Sequence, residues 1–179
     1  MIVGSIARRY AKALFSLADE QGQVEQWAKG LDALGQALDS HRELRETLAS
    51  PLFEKEQRRN VVAAVAGALA LPETPRNFLL LLADRDRLAY LQAIIRDFRG
   101  LADDRLGRVR ARVTSAVPLT AEESRRISEK LAEATKAQVI LETAVDPSLL
   151  GGVVAQLGSR VYDGSVRAQL EELRRVMKQ

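Results

Sequence analysis

Apolar side chains recur every three or four residues through about the first hundred residues, which is the spacing of amphipathic helices. The pattern is clearest in two stretches, which contain Val24, Trp27, Leu31, Leu34 and Leu38, and Leu88, Leu91, Ile94, Phe98 and Leu101. With the prolines and turn residues between them, the repeats predict six helices, at about 5–20, 24–38, 42–49, 54–69, 76–84 and 88–101. Their short loops favour an antiparallel bundle.

The spacing changes to alternate positions after residue 107. From Arg108 to Val117, apolar residues alternate with arginine and threonine, as in a strand with one buried face. A helix should follow, because Thr120 and Glu123 have the spacing of a capping box. Two further runs, Val139–Val145 and Val153–Tyr162, are rich in β-forming residues. These segments predict a three-stranded sheet.

Turn and cap residues accompany the last strands. Gly151 and Gly152 separate the two β-rich runs, and Asp163 with Gly164 is expected to turn the chain. Ser165 can then cap a last helix. The apolar face of that helix would contain Val166, Leu170, Leu173 and Met177.

The chain is therefore predicted to be α+β, with a six-helix bundle over residues 1–106 and a small α/β domain with two helices over residues 107–179. Charge divides near the same place. Residues 1–107 hold 15 basic and 15 acidic residues, whereas residues 108–179 hold 12 and 9. The net charge of +3 therefore belongs to the second domain.

Composition argues against most side-chain catalysis. The 179 residues include no cysteine, and His41 is the only histidine, so neither a thiolate metal site nor a two-histidine site is expected. The sequence offers no catalytic constellation, metal site or cofactor motif, which leaves an enzyme that uses carboxylates alone as a weak alternative. The 26 alanines and 26 leucines favour packed helices.

No segment has the length of uninterrupted apolar sequence that a membrane crossing requires. Arg8, Arg9 and Lys12 interrupt the N-terminal region, which therefore does not resemble a secretion signal. A soluble protein of the cytosol, or one at the cytosolic face of a larger assembly, is expected.

Two helices have more apolar surface than one core needs. Apolar residues of the first helix cover an arc of about 200°, whereas a helix lying on one core needs about 100°. The segment Phe78–Ala83 has no polar residue in more than one turn. Either these helices lie at the centre of the bundle, or part of their apolar surface lines a groove for another protein's helix.

The arginines of the first strand suggest a different function. Arg108, Arg110 and Arg112 should project from one face about 7 Å apart, near the spacing of phosphates. A nucleic-acid-binding module is the alternative that this row supports. Aromatic residues that could stack on bases are missing from the same face, which favours a solvent-exposed side of the sheet.

Two motifs resemble a known family. Residues Ile6–Phe15 (IARRYAKALF) are similar to the ARxYAKALF start of the delta subunit of the bacterial F-type ATP synthase, whose mitochondrial counterpart is the oligomycin-sensitivity-conferring protein. Residues Val145–Val154 (VDPSLLGGVV) and Val161–Arg167 (VYDGSVR) resemble the C-terminal signature of that family.

The resemblance implies a non-catalytic stator subunit, without cofactors, at the cytoplasmic face of the bacterial plasma membrane. The helical bundle would hold the N-terminal helix of an alpha subunit, and the second domain would meet the peripheral-stalk b subunits, with no nucleic acid and no direct membrane insertion. The resemblance also implies that the first and fifth helices form the groove for the alpha subunit. On the apolar arcs of those helices, the groove residues would be Ile6, Tyr10, Ala13, Leu14, Leu81 and Leu82. The predicted turns of the C-terminal signature are Gly151, Gly152, Asp163, Gly164 and Ser165.

Overall fold

A computed structural model describes residues 2–50, 53–158 and 160–176 of the chain. The chain divides into two compact units, Met1–Ala102 and Asp103–Gln179. This division lies four residues before the boundary at 106/107 that the sequence predicts. The units are described separately below.

Within residues 2–50 and 53–102, the first unit contains six α-helices, as the apolar spacing predicts. They are α1 (Ile2–Glu20), α2 (Val24–Ser40), α3 (Arg42–Ala49), α4 (Lys55–Ala68), α5 (Glu73–Asp84) and α6 (Leu91–Arg105), whose last three residues belong to the second unit. A 3-10 turn at Leu88–Tyr90 precedes α6. Helix α5 begins three residues before its predicted start, because Pro75 lies in its first turn, where a proline is tolerated.

The core of the first unit is built around one row of α1. Ala7, Ala11, Leu14 and Ala18 are spaced by three and four residues and are buried. Two large aromatic side chains, Trp27 on α2 and Phe98 on α6, are fully buried as well. The Trp27 Nε1 donates a hydrogen bond to Gln23 Oε1 at 2.8 Å, and the ring of Phe98 meets that of Phe15 edge to face at 6.1 Å. Helix α1 is thus fixed against α6.

Two arginine–aspartate pairs join α4 to the end of α5. The buried Arg58 donates to Asp86 at 2.6 Å, and Arg59 Nη1 donates to both carboxylate oxygens of Asp84 at 2.9 and 2.7 Å. Asp86 has a positive φ of 54°, a conformation that glycine, asparagine and aspartate adopt more readily than other residues. Its ion pair with Arg58 fixes the end of α5 against α4.

The described residues of the second unit form a four-stranded sheet, not the three-stranded sheet that the sequence predicts. Its strands are β1 (Arg108–Ser115), β2 (Gln138–Val145), β3 (Gly152–Leu157) and β4 (Arg160–Ser165), in the order β2-β1-β3-β4. Strand β2 is parallel to β1, and the other neighbours are antiparallel. The predicted run Val153–Tyr162 is in fact two strands, because the chain reverses at Gly158, where φ is 57°.

In the part of the second unit that the structure describes, the sheet is accompanied by α7 (Ala121–Thr135) and α8 (Val166–Val176). Thr120 and Glu123 form the predicted capping box at the start of α7. Ile127 and Leu131 of α7 pack on a small core of four buried residues, which are Ala111, Val113, Ala155 and Leu157. On the predicted face of α8, the side chain of Leu173 and all of Met177 lie outside the described residues.

The residues of the C-terminal signature were predicted to form turns, but most of them lie in strands. Asp163 and Gly164 lie within β4, where they are opposite Val154 and Val153 of β3. Gly152 begins β3 and lies opposite Ser165, with a φ of 80°. The backbones are so close here that a Cβ on Gly152 would lie 2.3 Å from the Gly164 carbonyl oxygen and 2.9 Å from the Ser165 Cα. Only glycine fits this joint between β3 and β4.

We predict that Gly152→Ala destabilises the second unit much more than Gly107→Ala does. Both glycines have positive φ, so each alanine carries a backbone cost of about 1 kcal/mol. A Cβ on Gly107 meets no atom within 4 Å, whereas one on Gly152 overlaps backbone atoms that cannot move independently. The free energy of unfolding, measured with denaturant, should fall by about 1 kcal/mol for Gly107→Ala and by about 3 kcal/mol or more for Gly152→Ala. Equal losses would mean that the close approach is not rigid.

Candidate functional site

Helix α1 carries a second apolar row beside the buried one. Ile6, Tyr10, Ala13 and Leu17 follow one another at intervals of four, three and four residues, which places them on one face of the helix. Ile6 and Tyr10 are half-buried, while Ala13 is exposed and Leu17 is 42% exposed. The first unit therefore leaves part of this apolar row uncovered.

Helix α5 continues the same surface. The ring of Tyr10 meets the ring of Phe78 edge to face, with centroids 6.1 Å apart and an angle of 67° between the planes. Phe78 is half-buried, and Leu81, three residues further along α5, is 44% exposed. We call the surface formed by Ile6, Tyr10, Ala13, Leu17, Phe78 and Leu81 the α1–α5 face.

For two of the six residues predicted to line the groove, the structure contradicts an exposed position. Leu14 and Leu82 are fully buried in the core, so neither can contact a partner. The apolar arcs could not distinguish these inward-facing residues from outward-facing ones, because adjacent residues of a helix project only about 100° apart. Ile6, Tyr10, Ala13 and Leu81 do lie on the α1–α5 face.

Leu17 and Phe78 were missing from the predicted groove. The spacing of Leu17 from Ile6, Tyr10 and Ala13 is present in the sequence and could have placed it on the outer row. For Phe78, the unbroken apolar run through α5 contains no such signal, since it does not distinguish an inner from an outer face. Only the contact with Tyr10 identifies its position.

Exposed basic residues border the α1–α5 face along the first turns of α1, whereas the acidic Glu20 follows at the end of the helix. Arg9, four residues before Ala13, is exposed, as are Arg8 and Lys12 on the remaining surface of the helix. Positive charge of this kind favours a ligand with acidic residues beside its apolar stripe.

The start of α8 is held by the C-terminal signature. The Asp163 carboxylate accepts a hydrogen bond from the Ser165 amide at 2.9 Å, and Ser165 Oγ accepts one from the Ala168 amide at 3.2 Å, which is the bond of a helix N-cap. The Val166 amide donates to the Gly151 carbonyl at 3.1 Å. The signature thus fixes where α8 leaves the sheet.

Hydrogen bonds also lower the pKa of two aspartates in this region. Asp163 is bonded by the side chain and the backbone amide of Ser165, and both bonds hold its pKa below the ordinary value. Asp146 accepts from the Ser148 amide at 2.9 Å, and Ser148 lowers its pKa in the same way. Both carboxylates therefore stabilise the local structure around them when ionised.

The arginine row of β1 is paired within the second unit. Arg110 donates to the buried carboxylate of Asp103 and to Glu142 of β2, while Arg108 donates to Gln138 at 3.1 Å. Arg112 lies 4.0 Å from Glu142. Carboxylates thus accompany the cations, and the row does not support the nucleic-acid alternative.

Comparisons with known proteins agree with the two sequence motifs. Residues 6–177 match the profile of a family described as ATP synthase delta (OSCP) subunit. The chain belongs to this family. A delta subunit of ATP synthase from Anaeromyxobacter dehalogenans (strain 2CP-C) is 59% identical over 179 residues, covering 100% of both chains. One from Myxococcus xanthus (strain DK1622) is 49% identical over 181 residues, again with full coverage of both.

The fold of this delta-family chain also occurs in a solved structure. A chain of the Toxoplasma gondii mitochondrial ATP synthase hexamer superposes with a TM-score of 0.72 at 23% identity, covering 97% of each chain. The resemblance inferred from the motifs is therefore confirmed. In the described ranges of this delta-family chain, no helix is both long and apolar enough to cross a membrane.

We predict that protonation of the Asp163 carboxylate in acid lowers the stability of the second unit. Its pKa is lowered in the folded state, so its contribution is present above the unfolded value of about 3.9 and is lost as the pH falls through the folded value. Asp163→Asn keeps an acceptor for the Ser165 amide but removes the charge. The difference in denaturation midpoint between the wild type and this variant should shrink as the pH falls from about 6 to about 2. A difference that stays constant with pH would contradict this role for the ionised carboxylate.

Proposed function

We propose that this chain is a non-catalytic stator subunit, which links the catalytic head of the F-type ATP synthase to its peripheral stalk. The α1–α5 face holds the N-terminal helix of an alpha subunit, and the C-terminal unit binds the b subunits. In this role the protein is peripheral, at the cytoplasmic face of the bacterial plasma membrane, and it couples proton-driven rotation to ATP synthesis. Membership of the ATP synthase delta (OSCP) family supports the assembly, and the geometry supports the head contact.

The observation that carries the head contact is the exposed second row of α1. Leu17 and Leu81 leave large parts of their side chains in water, although the same helices also supply the buried Leu14 and Leu82. Apolar side chains gain about 25 cal/mol per Å² of surface when a partner removes them from water. A partner that covers this face therefore gains affinity while the folded core stays unchanged.

The shape of the face favours a helix as the partner. Its α1 row presents apolar side chains at intervals of three and four residues, and Phe78 and Leu81 supply a second row on α5. An amphipathic helix lying along two such rows buries its own apolar stripe in the same way. Arg9 at the border adds a preference for acidic residues on that helix.

A stator link needs binding surfaces that resist torque and needs no reactive groups. Its two partners must be held at the same time, which requires separate surfaces on one chain. The division into two compact units fits this requirement, because each unit has its own core and its own exposed apolar residues. The positive charge of residues 108–179 would favour an acidic stalk surface at the second unit.

We predict that Leu81→Asp weakens binding to a peptide of the alpha-subunit N-terminus without unfolding the helical unit. The new carboxylate would be desolvated against an apolar ligand, which costs at least about 2 kcal/mol and lowers affinity at least about thirtyfold. Isothermal titration calorimetry measures the affinity, and circular dichroism checks the fold.

Asn60→Asp is the matched control for this variant. It introduces the same charge in the same unit, at an exposed position of α4 outside the α1–α5 face. Its affinity for the peptide should stay within about twofold of the wild type. If Leu81→Asp binds the peptide as tightly as Asn60→Asp does, the α1–α5 face is not the head-binding site.

We also predict that ATP synthase assembled without this chain retains ATP hydrolysis by its head but loses proton-driven ATP synthesis. Without a link, rotation of the rotor is no longer opposed, so it cannot drive the catalytic sites. Synthesis by membrane vesicles, measured before and after the purified chain is added back, tests this. Normal synthesis in vesicles free of the chain would exclude the stator role.

A further inference from the structure

Polar side chains of α2 and α6 face each other in a row. Asp39 of α2 accepts a hydrogen bond from Gln92 Nε2 of α6 at 2.6 Å, and Asp32 accepts one from Arg99 Nε at 2.6 Å. On each helix the two pairs are seven residues apart, which is about 10 Å along the axis. A cleft of about 240 Å³ lies along this row. We call it the α2–α6 cleft, and its lining residues are Gly35, Asp39, Gln92, Ile95, Arg96 and Arg99.

Gly35 and Arg96 hold the matching positions between the two pairs. Gly35 is three residues after Asp32 on α2, and Arg96 is three residues before Arg99 on α6, so the antiparallel register places them opposite each other. Glycine offers no side chain to the arginine. Within the described ranges, the exposed Arg96 side chain makes no hydrogen bond or ion pair, although Arg99 beside it is paired. The cleft therefore contains a guanidinium group without an anion.

Packing does not require a glycine at position 35. A Cβ there would lie 3.5 Å from Ile95 Cγ2 and 3.8 Å from Arg99 Nη2, which are ordinary contacts. Gly30 on the same helix is different, because its Cβ would lie 2.6 Å from Leu71 Cδ2. Glycine inside a helix is less stable than alanine, so α2 loses stability at Gly35 while the cleft stays open. An open cleft at such a cost points to a ligand.

We propose that the α2–α6 cleft binds a small hydroxycarboxylate, with its carboxylate on Arg96 and its hydroxyl group donating to Asp39. A planar carboxylate matches the paired N–H donors of a guanidinium group, and an aspartate at the rim accepts from a hydroxyl. The two hydrogen-bonded pairs join α2 to α6 on both sides of the gap, so the cleft admits a small molecule but not a helix.

This site is separate from the head contact. It lies on α2 and α6, whereas the α1–α5 face uses two other helices. A bound carboxylate supplies the anion that the row lacks and stabilises the folded helical unit, as any ligand of the folded state does. The inference goes beyond the proposed function and does not depend on it.

The test titrates sodium lactate into the full-length chain and follows the backbone amide signals by NMR, with sodium chloride at equal ionic strength as the reference. Lactate should cause saturable shifts at Gly35, Gln92 and Arg96 that sodium chloride does not cause. Arg96→Gln should weaken lactate binding at least about tenfold. Arg76→Gln removes an exposed arginine of α5 outside the cleft, and its affinity should stay within about twofold of the wild type.

Gly35→Ala distinguishes the cleft from the fold. It should raise the melting temperature by about 3 °C, because alanine is the better helix former. It should also weaken lactate binding at least about fivefold, because its Cβ narrows the cleft. Gly67→Ala is the control on α4, where a Cβ meets no atom within 4 Å, and it should leave the affinity unchanged. The proposal fails if lactate causes no saturable shifts, or if Arg96→Gln or Gly35→Ala binds lactate as tightly as its control.

Discussion

Helix α1 carries about twice the apolar arc that one core can bury, and the organisation of the first unit depends on how that arc is divided. The row that includes Leu14 is buried, while the row that includes Tyr10 and Leu17 lies nearer the surface, and Phe15 of the same helix meets Phe98 of α6. The ring contact between Tyr10 and Phe78 joins the outer row to α5. The pairs of Arg58 with Asp86 and Arg59 with Asp84 then fix the end of α5 against α4.

The second unit has a small core, in which four apolar residues of the sheet are buried among the residues that the structure describes. Its geometry depends more on backbone contacts, above all on the close approach of Gly152 to Gly164 and Ser165. The hydrogen bonds of Asp163 and Ser165 then define the first turn of α8. The C-terminal signature of the family is therefore a structural joint, which sets the direction in which α8 leaves the sheet.

The sequence predicted where the helices and strands lie better than it predicted which of their side chains are exposed. Periodicity identified six helices and the alternating strand β1, because each has to bury one face. It did not divide Val153–Tyr162 at Gly158, since both strands of the hairpin are rich in β-forming residues. Periodicity also could not tell the inner from the outer face of α5, which is why Leu82 was assigned to the groove and Phe78 was left out. Along an unbroken apolar run, only contacts with other helices determine which side is inner.

The structure also explains why binding and stability should be linked in the first unit. Tyr10 and Phe78 are half-buried, so each belongs partly to the fold and partly to the surface that a partner would cover. A ligand that binds only the folded unit stabilises it, by about 2.7 kcal/mol at a hundred times its dissociation constant. In a subunit that stays assembled, this stabilisation is always present. Exposed apolar residues such as Leu17 and Leu81 would then be unfavourable only before assembly.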